Sequence, residues 1–158
     1  MLKYVNTGVV FQEIPDETTL SVNISGCPNH CPGCHSAYLW QDIGNVLDEQ
    51  AIDKMVNCFG QSITCICLMG GDNDVVEVQR LAEYIHHRYG ETYKVGWYSG
   101  RIRLPKSFER QKFDYIKLGP YIAHLGPLNN PKTNQRLYRR VEDGSFEDIT
   151  HRFWRNTI

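Results

Sequence analysis

Residues 18–35 read TTLSVNISGCPNHCPGCH, a strand pattern that runs directly into a cluster of cysteines. Leu20, Val22 and Ile24 alternate with polar neighbours, which is the period of a strand with one face buried. The alternation ends at Ser25-Gly26, and the next nine residues hold three cysteines, two histidines, two prolines and a glycine. A strand that empties into a turn-rich loop full of metal-binding side chains predicts a loop with a chemical task.

Downstream of this loop the strand–loop–helix pattern repeats. Asp48 is placed to cap a helix carrying Ile52, Met55, Val56 and Phe59 on one side, with Gly60 as its stop. Residues 62–69 then read as a buried strand ending at Gly70-Gly71. A second helix spans about 73–89, with Val75, Val78, Ala82, Ile85 and Tyr89 at spacings of three and four before Gly90. Residues 93–98 give a strand that ends at Ser99-Gly100, residues 114–118 another before Gly119, and residues 137–141 a last strand at an edge. Such alternation predicts an α/β fold with a mostly parallel sheet, in which the loops leaving the C-terminal strand ends converge on one site. At 158 residues the chain is one domain, residues 1–158, and too short for a complete eight-stranded barrel, so the barrel is expected to be partial.

Composition narrows the class. With 41% hydrophobic and 22% charged residues and no apolar run approaching a membrane span, the expectation is a soluble cytoplasmic protein without a membrane partner. A net charge of −1 argues against nucleic acid as a partner. The charge is uneven: residues 1–100 hold five basic and twelve acidic side chains, residues 101–158 twelve and six. Attraction between the two halves, a basic docking face or an anionic substrate would account for it.

In a reducing compartment, six cysteines point to ligands or core residues rather than disulfides. Cys27, Cys31 and Cys34, spaced by three and then two residues, can converge on one metal centre. Three ligands leave a fourth position open, unless His30, His35, Cys58, Cys65 or Cys67 closes a structural zinc site. Cys65 and Cys67 lie in a predicted strand and read as core, and Cys58 on the preceding helix is read the same way.

The C-x₃-C-x₂-C loop resembles that of the radical S-adenosylmethionine family. Within it, Cys31-Pro32-Gly33-Cys34-His35 followed by Trp40 is similar to the activating proteins of anaerobic ribonucleoside-triphosphate reductases. Met69-Gly70-Gly71-Asp72 resembles that family's glycine-rich loop, although Asn73 stands where a proline often follows. Tyr98-Ser99-Gly100 resembles its cofactor-lining strand end, and Thr133-Asn134-Gln135-Arg136 its NQR segment. The resemblance implies a partial β/α barrel of the radical S-adenosylmethionine type. It implies a [4Fe-4S] cluster on Cys27, Cys31 and Cys34, with one iron not ligated by cysteine and chelated by S-adenosylmethionine. Gly33, Cys34, His35, Gly70, Gly71, Asp72, Ser99 and Gly100 would lie against that cofactor, Asp72 accepting from its ammonium. Trp97 and Tyr98 flank the nucleoside or belong to the core; Asp114 and Arg136 serve the site or form ordinary ion pairs. The implied reaction generates a glycyl radical on anaerobic ribonucleoside-triphosphate reductase, using a reducing electron donor such as flavodoxin. Another small radical S-adenosylmethionine enzyme and a zinc-binding interaction domain are the competing readings.

Overall fold

The computed structural model describes residues 1–34 and 36–154; His35, expected beside the cofactor, lies outside the described residues. Ten regular elements of strand or α-helix follow in chain order. They are β1 (Leu2–Val10), β2 (Thr19–Ile24), β3 (Asn45–Leu47), α1 (Glu49–Phe59), β4 (Cys65–Met69), α2 (Val75–Tyr89), β5 (Lys94–Tyr98), β6 (Tyr115–Leu118), β7 (Arg136–Arg140) and β8 (Phe146–Asp148). The eight strands form one sheet in the order β3-β1-β2-β4-β5-β6-β7-β8.

The four central strands, β2, β4, β5 and β6, run parallel, as the strand–loop–helix pattern requires. The expectation of a mostly parallel sheet is corrected at both flanks. There β1 pairs antiparallel with β2 and β3, and β7 pairs antiparallel with β6 and β8. The β7–β8 connection is five residues, too short for a crossover, so it can only make a hairpin. The predicted edge strand at 137–141 is therefore one strand in from the edge, covered by β8.

Both helices begin where the sequence has a capping aspartate. Asp48 accepts from the Ala51 N–H at 2.9 Å and Asp74 from the Glu77 N–H at 3.2 Å, each worth about 1 kcal/mol. Ile52 and Met55 of α1, with Val78, Leu81, Ala82 and Ile85 of α2, bury against one face of the sheet. Ile66 and Leu68 of β4, Val95 and Trp97 of β5 and Ile116 of β6 answer from that face. Trp97, Phe108 and Phe113 stack there with ring centroids 4.9–5.9 Å apart.

Alternation along the same strands sends Cys65, Cys67, Met69, Tyr98 and Tyr115 to the opposite face, where they pack with Ile14, Leu137 and Ile149. Cys65 and Cys67 are fully buried, as a core reading requires. Cys58 departs from that reading: it is exposed, because it lies on α1 away from the buried Ile52 and Met55. Among the described residues, three arginine or lysine ion pairs join the acidic and basic portions of the chain, Arg101–Asp72, Lys112–Glu83 and Arg152–Asp16, so part of the charge split is internal attraction.

Candidate cofactor site

The cysteine loop leaves the C-terminal end of β2, next to the C-terminal ends of β4 and β5. Its ends are held by backbone: Gly26 N–H donates to Gln41 O, Cys27 N–H to Leu39 O, and Cys34 N–H to Cys31 O. Gly33 has φ of +77°, a conformation side chains with a Cβ rarely adopt, and Tyr121 stands 3.4 Å from where its Cβ would be. His30 stacks on Trp40 at 4.7 Å.

Among the described residues, two of the three sulfurs receive N–H groups. The Ser36 backbone N–H lies 3.4 Å from Cys34 Sγ and the Asn29 amide 3.6 Å from Cys27 Sγ. Donors aimed at sulfur suit thiolates carrying a cluster's negative charge, and that donor set is what fits the loop to an iron–sulfur group. Among the described residues, no three His, Cys, Asp or Glu side chains are grouped to hold a single metal ion.

Asp72 is the hub behind the loop. Its side chain, 3% exposed, accepts from Ser99 Oγ at 2.6 Å, the Gly100 N–H at 2.8 Å and Asn29 Nδ2 at 2.7 Å, with Arg101 Nε 3.7 Å away. The predicted Gly70–Asp72 turn, the Ser99-Gly100 strand end and the cysteine loop are thus joined at one carboxylate. Three protein donors already hold that carboxylate in place. Gly71, at φ +90°, lies so close to α2 that a Cβ would fall 2.5 Å from Val78 Cγ2. Gly70 lies against Ile24, and its carbonyl accepts from Trp97 Nε1 at 2.7 Å.

Beside this junction lies a cavity of about 880 Å³, within the range of small-molecule sites, ~300–1,000 Å³. Its floor is the ends of the parallel strands, Met69, Tyr98 and Lys117, and Cys34 and Ser36 form part of its wall. The rim comes from the β1–β2 connection and from residues 127–129 and 152–153. Of the predicted cluster and cofactor residues among the described ones, only Cys34 lines it; Gly70, Gly71, Asp72, Ser99 and Gly100 form the adjoining junction. Trp97 belongs to the helix-side core, whereas Tyr98 faces the cavity. Asp114 precedes β6, at the opposite end of the strand, and accepts from Arg140 at 2.6 Å and from the Val95 N–H. Arg136 pairs with Asp148 at 3.7 Å. Both have ordinary ion-pair partners.

Lys117 carries no weight in the sequence pattern. It is 7% exposed, donates to Gly119 O at 3.0 Å and Gln135 Oε1 at 2.8 Å, and lies over the Tyr98 ring. Burial pulls its ammonium down to about 8, against the opposing charge of Asp72. Burial also raises the Cys65 and Cys67 thiols, which keeps them neutral and inert. The one signal for Lys117 is its alternation with Ile116, which puts it on the same face as Tyr115. The neighbouring NQR segment acts partly as a latch, with Asn134 donating to Pro120 O and Gln135 holding Lys117.

Comparison with known proteins adds one match. The family described as a 4Fe-4S single cluster domain matches residues 17–115, a span that contains the whole cysteine loop. No curated protein and no solved structure matches the chain.

Proposed function

Because the chain belongs to the 4Fe-4S single cluster domain family, we propose that it is a radical S-adenosylmethionine activating enzyme, which generates a glycyl radical on anaerobic ribonucleoside-triphosphate reductase. The observation that carries this reading is the C-x₃-C-x₂-C loop at the end of β2, with Cys34 in the wall of a cavity over the ends of β4, β5 and β6. Cys27, Cys31 and Cys34 hold a [4Fe-4S] cluster and leave one iron to S-adenosylmethionine. When bound, the pair would supply one-electron reductive cleavage of S-adenosylmethionine, driven by a reducing donor such as flavodoxin, and with it the means to remove a hydrogen atom from the partner's glycine.

The protein's own part is positioning and exclusion of water. The mixed sheet serves as an incomplete β/α barrel whose interior is the face bearing Cys67, Tyr98 and Lys117. Met69 and Tyr98 give the cavity an apolar floor, and Lys117 supplies its buried positive charge. Asp72 fixes the glycine-rich turn against Ser99 and Gly100, so that turn presents backbone to the cofactor in one arrangement. The cavity lies on the side of the sheet away from the helices, where it admits a protein loop as substrate.

The test is anaerobic incubation of the reconstituted chain with reductant, S-adenosylmethionine and the reductase. The expected result is a glycyl radical signal by electron paramagnetic resonance, absent when the cysteine loop is altered. Cofactor cleavage without a radical on the reductase would assign the chain to a different substrate.

A further inference from the structure

Asn29 stands between the cysteine loop and Asp72, and no sequence motif singles it out. Its amide nitrogen lies 2.7 Å from Asp72 Oδ2 and 3.6 Å from Cys27 Sγ. Both neighbours are acceptors, so the amide orientation follows from its partners: an oxygen in that place would face a carboxylate and a sulfur with nothing to donate. The two amide hydrogens answer the two acceptors. Asp72 is itself fixed by Ser99 and Gly100, which leaves the Asn29 amide little freedom. Gly100 closes a further side, since a Cβ there would fall 2.5 Å from Asn29 Nδ2.

We propose that Asn29 is a positioning residue for the cluster: anchored by Asp72, it directs an N–H at the Cys27 thiolate and so sets how readily the cluster accepts an electron. This inference rests on the cluster-binding part of the proposed function. The physical basis is charge. Reduction adds an electron to a group whose ligating sulfurs already carry negative charge, and an N–H donor stabilises the reduced form more than the oxidised one. Removing that donor makes reduction harder. The Ser36 N–H on Cys34 is backbone and survives side-chain substitution, so the effect of Asn29 can be isolated. The glycine at position 100 acquires a reason as well: it makes room for the anchored amide.

The experiment uses the whole chain reconstituted anaerobically with iron and sulfide. Its midpoint potential is read by a redox titration monitored by electron paramagnetic resonance, without S-adenosylmethionine. Asn29→Ala is expected to retain its iron and sulfide and to shift the reduction equilibrium about tenfold toward the oxidised cluster, 59 mV for one electron. Gly100→Ala leaves the amide chemically intact but displaces it, and is expected to shift the potential in the same direction. It supplies the reading if Asn29→Ala loses its cluster. Asn29→Ser, which keeps a donor, is expected to fall between them and the unaltered chain. Unchanged potentials in the cluster-bearing Asn29→Ala and Gly100→Ala chains would overturn the proposal, even with cofactor cleavage intact. The expected shift with no 5′-deoxyadenosine formed would uphold it and defeat the activating-enzyme reading. An unaltered chain that assembles no cluster would overturn both.

Discussion

The two faces of the central strands carry different chemistries. Toward the helices, β4, β5 and β6 present Ile66, Leu68, Val95, Trp97 and Ile116, large apolar side chains sealed by α1 and α2. Toward the other side the same strands present Cys65, Cys67, Gly96, Tyr98, Tyr115 and Lys117, which are small or polar at one end. The first face is built to bury area; the second leaves room, and at its C-terminal end that room is the cavity beside the cysteine loop. A period of two separates stability from chemistry along each strand.

The largest effect expected is on the cysteine loop. Single Cys27→Ala, Cys31→Ala or Cys34→Ala variants should lose essentially all bound iron and sulfide, measured after reconstitution, while circular dichroism shows the sheet and helices intact. Melting of the fold with the cluster would instead mean that the two faces are not energetically separate. Next, Trp97→Ala on the helix face should cost ~3–5 kcal/mol by urea denaturation, whereas Cys67→Ala on the opposite face should cost only ~1 kcal/mol. Equal losses would erase the contrast.

A smaller, pH-dependent effect is expected at Lys117. Burial lowers its folded-state value from 10.5 to about 8, so between those values the unfolded chain binds more protons than the folded one. The stability of the cluster-free chain should therefore rise with pH across that window relative to Lys117→Met, by up to ~3 kcal/mol. A flat difference would place the ammonium in water. The smallest effect belongs to the rim: Arg152→Ala breaks a half-exposed pair with Asp16 at 2.8 Å and should change the unfolding free energy, measured by urea denaturation, by no more than ~1 kcal/mol.

The central elements are legible in the sequence because their signals are local. The capping aspartate Asp48 and the period of three and four in α2 depend on neighbours a turn away. β1 escapes such a reading because only Leu2 among its nine residues is fully buried, leaving no clean alternation. β8 is three residues long, with its register set by pairing to β7 and not by its own pattern. At the site, the three cysteines are readable from their spacing. The Asn29–Asp72 bond and the burial of Lys117 are not, because they join residues 43 apart and strands brought together only by the fold. Asp72 itself stands out in the sequence, but that it holds three segments together through Asn29, Ser99 and Gly100 is visible only in the fold.

Formation of 5′-deoxyadenosine tests the central claim most directly, measured by chromatography after the anaerobically reconstituted chain is incubated with reductant and S-adenosylmethionine. The expected result is an oxygen-sensitive, iron- and sulfide-containing protein that forms 5′-deoxyadenosine, and loses that activity in each of the three cysteine variants. A colourless protein carrying stoichiometric zinc and cleaving no cofactor would contradict it.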